Sequence, residues 1–181
     1  MCYTSNRTEK RYRSGRELRS MDAEKFTKKS LEVIESCEKL AYEYNNQELT
    51  QAHLMYALVT IEDSLIAKLL TNMGINMDAF TGECEKLVAN RPKVSGGQLF
   101  TSPEFSKALI QAEKEEKQMG DDYISVEHIF LGLLEKADKD IKRVINAYGI
   151  TRGKFLEVLA NIRGNRKVES DNPEDTYDAL N

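Results

Sequence analysis

Apolar residues recur every three or four positions along most of the chain, which is the spacing of one face of an α-helix. The clearest stretch predicts a long first helix that ends near Tyr44 and the Asn45-Asn46 turn. Its apolar positions are Phe26, Leu31, Ile34, Cys37 and Ala41. Period-two alternation of β-branched residues is absent, so we expect no strands.

Residues that cap or terminate helices divide the rest of the chain. In the first half, Thr50, then Asp63 or Ser64, then Asn76 are expected to begin helices, and Gly74 to end one. The second half carries its own set of such residues: Ser102-Pro103, Gly120, Ser125, Gly149, Thr151 and Gly164. These capping and terminating residues predict four helices in each half.

The helical pattern is a duplication. Shifted by 75 residues, the chain matches itself without a gap from Leu31 to Arg91, and its only two histidines, His53 and His128, coincide. Other identical pairs include Leu58 and Leu133, Asp63 and Asp138, Gly74 and Gly149, and Phe80 and Phe155. Because a repeated apolar pattern duplicates a packing unit, we predict an all-α fold of two pseudo-symmetric four-helix repeats, with eight helices in two lobes.

The repeats are expected over residues 22–91 and 102–164, within a domain over residues 21–164. A connector at residues 92–101 contains Gly96 and Gly97, which take positive φ without steric cost. We therefore expect the connector to leave the angle between the lobes open.

Both ends of the chain differ from the repeats. Residues 1–20 carry six arginines and lysines against two glutamates, and we expect a basic disordered extension there. Residues 165–181 are polar and acidic, and Asn172-Pro173 interrupts any helix. This segment is predicted to be a linker toward a further module.

Charge, hydropathy and cysteine content exclude several classes of protein. The net charge is −4, so the chain beyond its basic extension is acidic, and nucleic acid is not the expected partner. Its apolar runs are far shorter than the ~18 residues that cross a bilayer, so we expect no membrane span. Three cysteines without a close pair argue against a disulfide framework or a zinc site and favour a reducing, cytoplasmic location.

The sequence contains no glycine-rich phosphate loop, GxSxG, HExxH or CxxC motif. Glu127 beside His128 suggests a twofold metal or proton site, but Ala52 precedes His53 in the first repeat, and a metal needs three or four ligands. We therefore expect His53 to be a packed structural residue. No catalytic residue, metal or cofactor is expected in this chain.

Four stretches carry a family resemblance: Phe26-Thr27, Gln51-Ala52-His53-Leu54-Met55, Val126-Glu127-His128-Ile129-Phe130 and Leu70-Thr71-Asn72-Met73-Gly74-Ile75. They are similar to the repeated signature of the amino-terminal domain of Clp ATPases, over Met21 to about Gly164. Residues 172–180 resemble the segment that leads into the first ATPase module of ClpB-type disaggregases. The resemblance implies that this chain is their substrate-binding N domain.

The resemblance further implies which partners the chain binds and which activities belong to other modules. The module would engage unfolded or aggregated polypeptides, with adaptor proteins as possible further partners, for delivery to an AAA+ ring, a homohexamer in the full-length protein. ATP and Mg²⁺ would bind to modules outside this chain, so the fragment itself is expected to be no enzyme. Thr27, Asp121 and Glu127 match positions that this family uses in substrate handling, and each is also explained as a cap, a turn residue or a first-turn acid.

Three aliphatic and aromatic residues, Leu109, Ile110 and Phe130, are further candidates for contact with clients across a groove between the lobes, unless they fill the core. Two other functions remain open at this point. One is an adaptor- or degron-docking N domain of a ClpC- or ClpA-type unfoldase. The other is a small helical enzyme or nucleic-acid binder that uses the basic extension.

Overall fold

The computed structural model describes residues 23–173. Within them, eight α-helices follow a 3-10 turn at Ala23–Lys25. They are α1 (Lys28–Glu43), α2 (Gln51–Thr60), α3 (Leu65–Asn72), α4 (Met77–Ala89), α5 (Pro103–Met119), α6 (Val126–Glu135), α7 (Lys139–Ala147) and α8 (Arg152–Arg163). The predicted all-α fold of two four-helix repeats is confirmed. The basic extension expected at residues 1–20 lies outside the described residues.

The helices begin where the capping residues predicted. Ser64, rather than Asp63, caps α3 by accepting a hydrogen bond from the Ala67 N–H at 3.0 Å. Ser102 caps α5 in the same way, with Pro103 at the first helical position. Gly120 ends α5 in the left-handed conformation, with φ of 67°. Among residues 23–173, no helix is both long and apolar enough to span a bilayer.

The expectation of no strands is wrong at one place. Two short strands, β1 (Glu48–Leu49) and β2 (Phe100–Thr101), pair in parallel, with Leu49 opposite Thr101. A separate parallel bridge joins Phe26 to Ile124. Strands of two residues are too short to leave an alternating pattern in the sequence, so periodicity could not reveal them.

These two bridges are the same contact made twice. Under the 75-residue shift, Leu49 corresponds to Ile124 and Phe26 to Thr101, so the pairs exchange partners between the repeats. In each repeat, the residues that precede the first helix pair with the residues that precede the second helix of the other repeat. The arrangement is isologous, like the interface of a twofold dimer built within one chain.

The backbone at the adjacent helix caps repeats this reciprocity. The Thr27 N–H donates to the Ile124 carbonyl at 3.0 Å, and the equivalent Ser102 N–H donates to the Leu49 carbonyl at 2.8 Å. Backbone pairing therefore fixes the relative position of the two repeats, and the glycine-containing connector does not have to. The sequence left the angle between the two lobes open, and in the structure the backbone pairing between the repeats defines it.

A single glutamine adds a further tie between the repeats. Gln51, at the start of α2, is fully buried. Its Nε2 donates to the carbonyls of Glu104 and Lys136 at 2.9 and 2.8 Å, and its Oε1 accepts from the Asp138 N–H at 2.8 Å. One side chain from the first repeat thus joins α5, the end of α6 and the start of α7.

The two repeats also share one continuous apolar core. Leu54 and Ile66 from the first repeat and Phe105 and Phe155 from the second belong to the same cluster of buried side chains. Within the second repeat, α5 and α6 approach each other closely at Gly132. A Cβ atom there would lie 2.3 Å from the Ala108 carbonyl oxygen and 3.0 Å from the Ala112 nitrogen.

We predict that Gly132→Ala destabilises the domain by about 2–3 kcal/mol, because the added methyl group must push two helix backbones apart. Urea unfolding followed by circular dichroism measures the change. Gly82→Ala in α4 is the matched control, since its Cβ would meet nothing within 4 Å. The control should be neutral or stabilising by up to about 1 kcal/mol, and equal destabilisation by both variants would contradict the close approach.

We also predict that Gln51→Ala lowers the free energy of unfolding by about 2–4 kcal/mol, because three backbone groups lose their buried side-chain partner together. Gln111→Ala serves as the control. The Gln111 amide donates to Glu115 Oε1 at 3.1 Å, which lies on the same helix, so its loss should cost about 1 kcal/mol. Similar losses for the two variants would show that Gln51 does not tie the repeats.

Candidate functional site

The three residues that the resemblance singled out lie around one segment of the chain, residues 121–127, which follows α5 and includes the first two residues of α6. Asp121 and Glu127 are at its two ends, and the Thr27 N–H donates to the carbonyl of Ile124 at its centre. The structure therefore brings Thr27, Asp121 and Glu127 into one neighbourhood. All three residues are buried, with Thr27 and Glu127 fully so.

Thr27 is the N-cap of α1. Its Oγ1 accepts a hydrogen bond from the Ser30 N–H at 3.2 Å and donates to the Ser30 hydroxyl at 3.0 Å. The same residue supplies the backbone N–H that joins the two repeats. Its hydroxyl thus has a local structural task within a closed interface.

His128 caps its own helix. It occupies the third position of α6, where its Nδ1 accepts a hydrogen bond from the Ser125 N–H at 2.9 Å. A backbone N–H can only donate, so Nδ1 carries no proton and the ring is neutral. The proton on Nε2 then points to Asp121 Oδ2, 2.8 Å away.

His53 makes the corresponding contacts in the first repeat. Its Nδ1 accepts from the Thr50 N–H at 3.0 Å, and its Nε2 donates to Asn46 Oδ1 at 2.9 Å. This confirms the interpretation of His53 as a packed, hydrogen-bonded residue. Each histidine takes the place that glutamate or glutamine usually fills in a capping box.

A buried arginine completes the site in the second repeat. Arg163, from the last turn of α8, pairs with Asp121 Oδ1, and its Nη1 lies 3.7 Å from Glu127 Oε1. Burial alone would raise the pKa of Asp121. Hydrogen bonds from His128, Arg163 and the Val168 N–H outweigh burial, so the pKa of Asp121 lies below its ordinary value and the carboxylate is charged at neutral pH.

Glu127 is held differently from Asp121. Within residues 23–173, no donor makes a hydrogen bond to either of its carboxylate oxygens, although the Arg163 guanidinium is nearby. The cluster thus shares one arginine between two acids beside a neutral histidine. Such a set can hold and orient neighbouring groups by charge, but it offers no activated nucleophile. Residues 23–173 contain no group of three potential metal ligands.

Sequence reasoning missed Arg163. The signal was present in the duplication, because Arg163 corresponds to Val88, an apolar position that is buried in the first repeat. A charged residue at a core position of a repeat points to a buried partner of opposite charge. The partner sets also differ, with Asn46 and Ala52 in the first repeat where the second has Asp121 and Glu127.

The three apolar candidates separate into two groups. Leu109 and Phe130 are fully buried, and the ring of Phe130 packs on Phe155 at a centroid distance of 4.5 Å. Both belong to the core, which corrects the expectation that they line a client-binding surface. Ile110, the next residue on α5, is 43% exposed and remains available for contact. Helical spacing alone does not show which of two adjacent apolar residues faces inward.

The geometry defines an all-α tandem-repeat domain whose two halves are joined by reciprocal backbone pairing and capped by equivalent histidines. Residues 25–148 match the Clp repeat (R) N-terminal domain family. The chain belongs to this family.

Relatives in the family are similar over nearly the whole chain. The chaperone protein ClpB of Nitratidesulfovibrio vulgaris is 40% identical over 166 residues, and that of Clostridium tetani is 39% identical over 165 residues. Each alignment covers 88% of this chain and 19% of the relative. The chain therefore spans about a fifth of the length of the curated relatives it matches.

Solved structures show the same fold. The Hsp104 N-terminal domain from Candida albicans superposes with a TM-score of 0.72 at 21% sequence identity, covering 81% of this chain and 96% of that one. The N-terminal domain of the ClpV1 ATPase from E. coli gives a TM-score of 0.66 at 14% identity, covering 90% and 98%.

The buried histidine of the first repeat predicts a pH-dependent stability. Burial, and then the charge of Arg91, lower the pKa of His53 to about 4, against about 6.5 in an unfolded chain. Between these values the unfolded state binds a proton that the folded state does not. The free energy of unfolding should therefore fall by up to roughly 3 kcal/mol as the pH drops from 6.5 to 4.

The variant His53→Gln tests this assignment, because glutamine keeps an acceptor for the helix cap but does not titrate. Urea unfolding at pH 7, 5.5 and 4 should show that the variant is less stable than the native chain at pH 7. The difference should shrink toward pH 4. Parallel stability profiles for the two proteins would rule out His53 as the titrating group.

Proposed function

We propose that this chain is the N-terminal polypeptide-binding module of a ClpB-type, ATP-dependent disaggregase. The observation that carries the proposal is the match of 88% of the chain, at up to 40% identity, to the ClpB chaperones. In this proposal, unfolded or aggregated polypeptides contact the module before they pass to an AAA+ ring. ATP, Mg²⁺ and homohexamer assembly belong to the portion of the relatives that this chain does not span.

Exposed apolar side chains support contact with unfolded clients. Ile110, Phe100 and Val94 are between 42% and 47% exposed, and Tyr42 is 70% exposed. Unfolded chains offer apolar segments in many sequences, and scattered apolar contacts bind them weakly and without selectivity. The buried free thiols of Cys37 and Cys84, whose pKa values are raised chiefly by burial, are compatible with a reducing cytoplasm.

We predict that the chain binds a permanently unfolded model protein and that Ile110→Ser weakens binding about fivefold or more, because an exposed isoleucine loses apolar contact area. Fluorescence anisotropy of the labelled unfolded protein measures the affinity. The controls are Lys107→Ser and Lys114→Ser, which change exposed residues on the same face of α5. These controls should keep the native affinity at physiological salt.

Two outcomes would overturn this assignment. Equal weakening by the lysine variants would show binding by charge and not by apolar contact. Binding of a folded adaptor together with indifference to the unfolded protein would favour an adaptor-docking module of a protease-associated unfoldase.

A further inference from the structure

The residues that follow α8 lie against the domain, beyond Gly164, where the sequence placed its end. We call residues 165–173 the exit segment. Val168 is fully buried, its N–H donates to Asp121 Oδ1 at 3.1 Å, and its carbonyl accepts from the Asp122 N–H at 2.9 Å. Further along, the Asp171 carbonyl accepts from the Lys28 N–H at 2.7 Å. The exit segment is thus held at two points and reaches the start of α1.

The first repeat provides an internal comparison. Residues 90–98 follow α4 as the exit segment follows α8, and Asn46 holds them through its Nδ2, which donates to the Pro92 carbonyl at 3.2 Å. This contact involves no charge, and Val94 after it is 42% exposed. The same position thus holds the departing chain in both repeats, by a neutral amide in one and by a carboxylate in the other.

The charged cluster is therefore not needed to form a four-helix repeat. Asn46, Ala52 and Val88 occupy the places of Asp121, Glu127 and Arg163 in the first repeat, which folds in the same way without them. Burying charges is unfavourable unless they are paired. The neighbouring element that differs between the repeats is the exit segment, because Val168 is buried whereas the equivalent Lys93 is exposed. We therefore relate the charged cluster to the burial of the exit segment.

The hydrogen bonds of Asp121 leave little for any other partner. Its Oδ2 accepts from His128, and its Oδ1 accepts from Arg163 and from the Val168 N–H. Its side chain is 0% exposed. A client therefore cannot reach this carboxylate without displacing the structure around it.

We propose that Asp121 and Arg163 form a clamp that holds the exit segment. The clamp thereby sets where the tether begins, which is the stretch of chain that would connect this domain to the rest of the proposed disaggregase. With the clamp closed, the chain leaves beside the start of α1. With it open, residues 165–171 join the tether and lengthen it by up to about 25 Å. Asp121 is thus a positioning residue. It affects client binding indirectly, by setting how far the tether lets the domain extend. This role in client handling depends on the proposed function, whereas the clamp itself does not.

Hydrogen–deuterium exchange on the full chain tests the clamp. Asp121→Asn removes the charge at nearly constant size, and Val168→Ser removes the apolar anchor without changing the charged cluster. Both variants should speed exchange of the Asp122 and Lys28 amides at least tenfold, because these amides donate to the exit segment. Trypsin should also cleave after Lys167 faster in both variants.

Asn46→Ala is the matched control, since it removes the equivalent side chain in the first repeat and should leave exchange at Asp122 and Lys28 unchanged. Circular dichroism checks folding, and Val168→Ser decides the outcome if Asp121→Asn does not fold. Unchanged exchange in the folded variants would overturn the clamp.

Binding to the permanently unfolded model protein separates the clamp from the proposed function. If Asp121 acts only through the exit segment, Asp121→Asn and Val168→Ser should have the same affinity as each other. Binding more than fivefold weaker for Asp121→Asn than for Val168→Ser would mean that Asp121 touches the client, which overturns its role as a positioning residue. No binding by the native chain, together with faster exchange in the variants, would reject the proposed function and leave the clamp in place.

Discussion

Reciprocal backbone pairing between the two repeats is the constraint on which the rest of the structure depends. Phe26 pairs with Ile124 and Leu49 with Thr101, so each repeat supplies one residue to each pairing. These residues lie directly before the first and second helices of their repeats, and the pairing therefore aligns four helix starts at once. A break in either bridge would disturb a cap, an interface and the neighbouring core together, because the same few residues serve all three.

The pairing also explains why the candidate site lies where it does. Ile124, which accepts the Thr27 N–H, is at the centre of the segment that carries Asp121 and Glu127. The site thus lies at the paired backbone between the repeats, which we call the seam, where backbone groups are already ordered. Side chains placed on a rigid seam lose little further entropy when they form a network. The equivalent seam position near Leu49 carries Asn46 and Ala52, so the symmetric scaffold allows a charged set without requiring one.

Much of the fold was predictable because the helices obey local rules. The 75-residue duplication, the apolar period and the capping residues predicted eight helices and most of their starts, since those signals act over three or four residues. The two bridges were not predictable, because Leu49 and Thr101 are 52 positions apart and each strand has only two residues. Leu109 and Ile110 show the same limit at finer scale, because only the packed structure shows which of the two is buried.

The site was predictable only where the family resemblance names its residues. Thr27, Asp121 and Glu127 could be named from the family resemblance, but Arg163 and Val168 come from the far end of the second repeat and have no local motif. Their importance follows from comparison within the chain. The two copies of a duplicated domain can be compared directly, and a buried charge in one copy that corresponds to an apolar residue in the other points to a role specific to that copy. In this domain these charges lie against the segment that leaves it, which connects the ionised state of Asp121 to how far the module can reach.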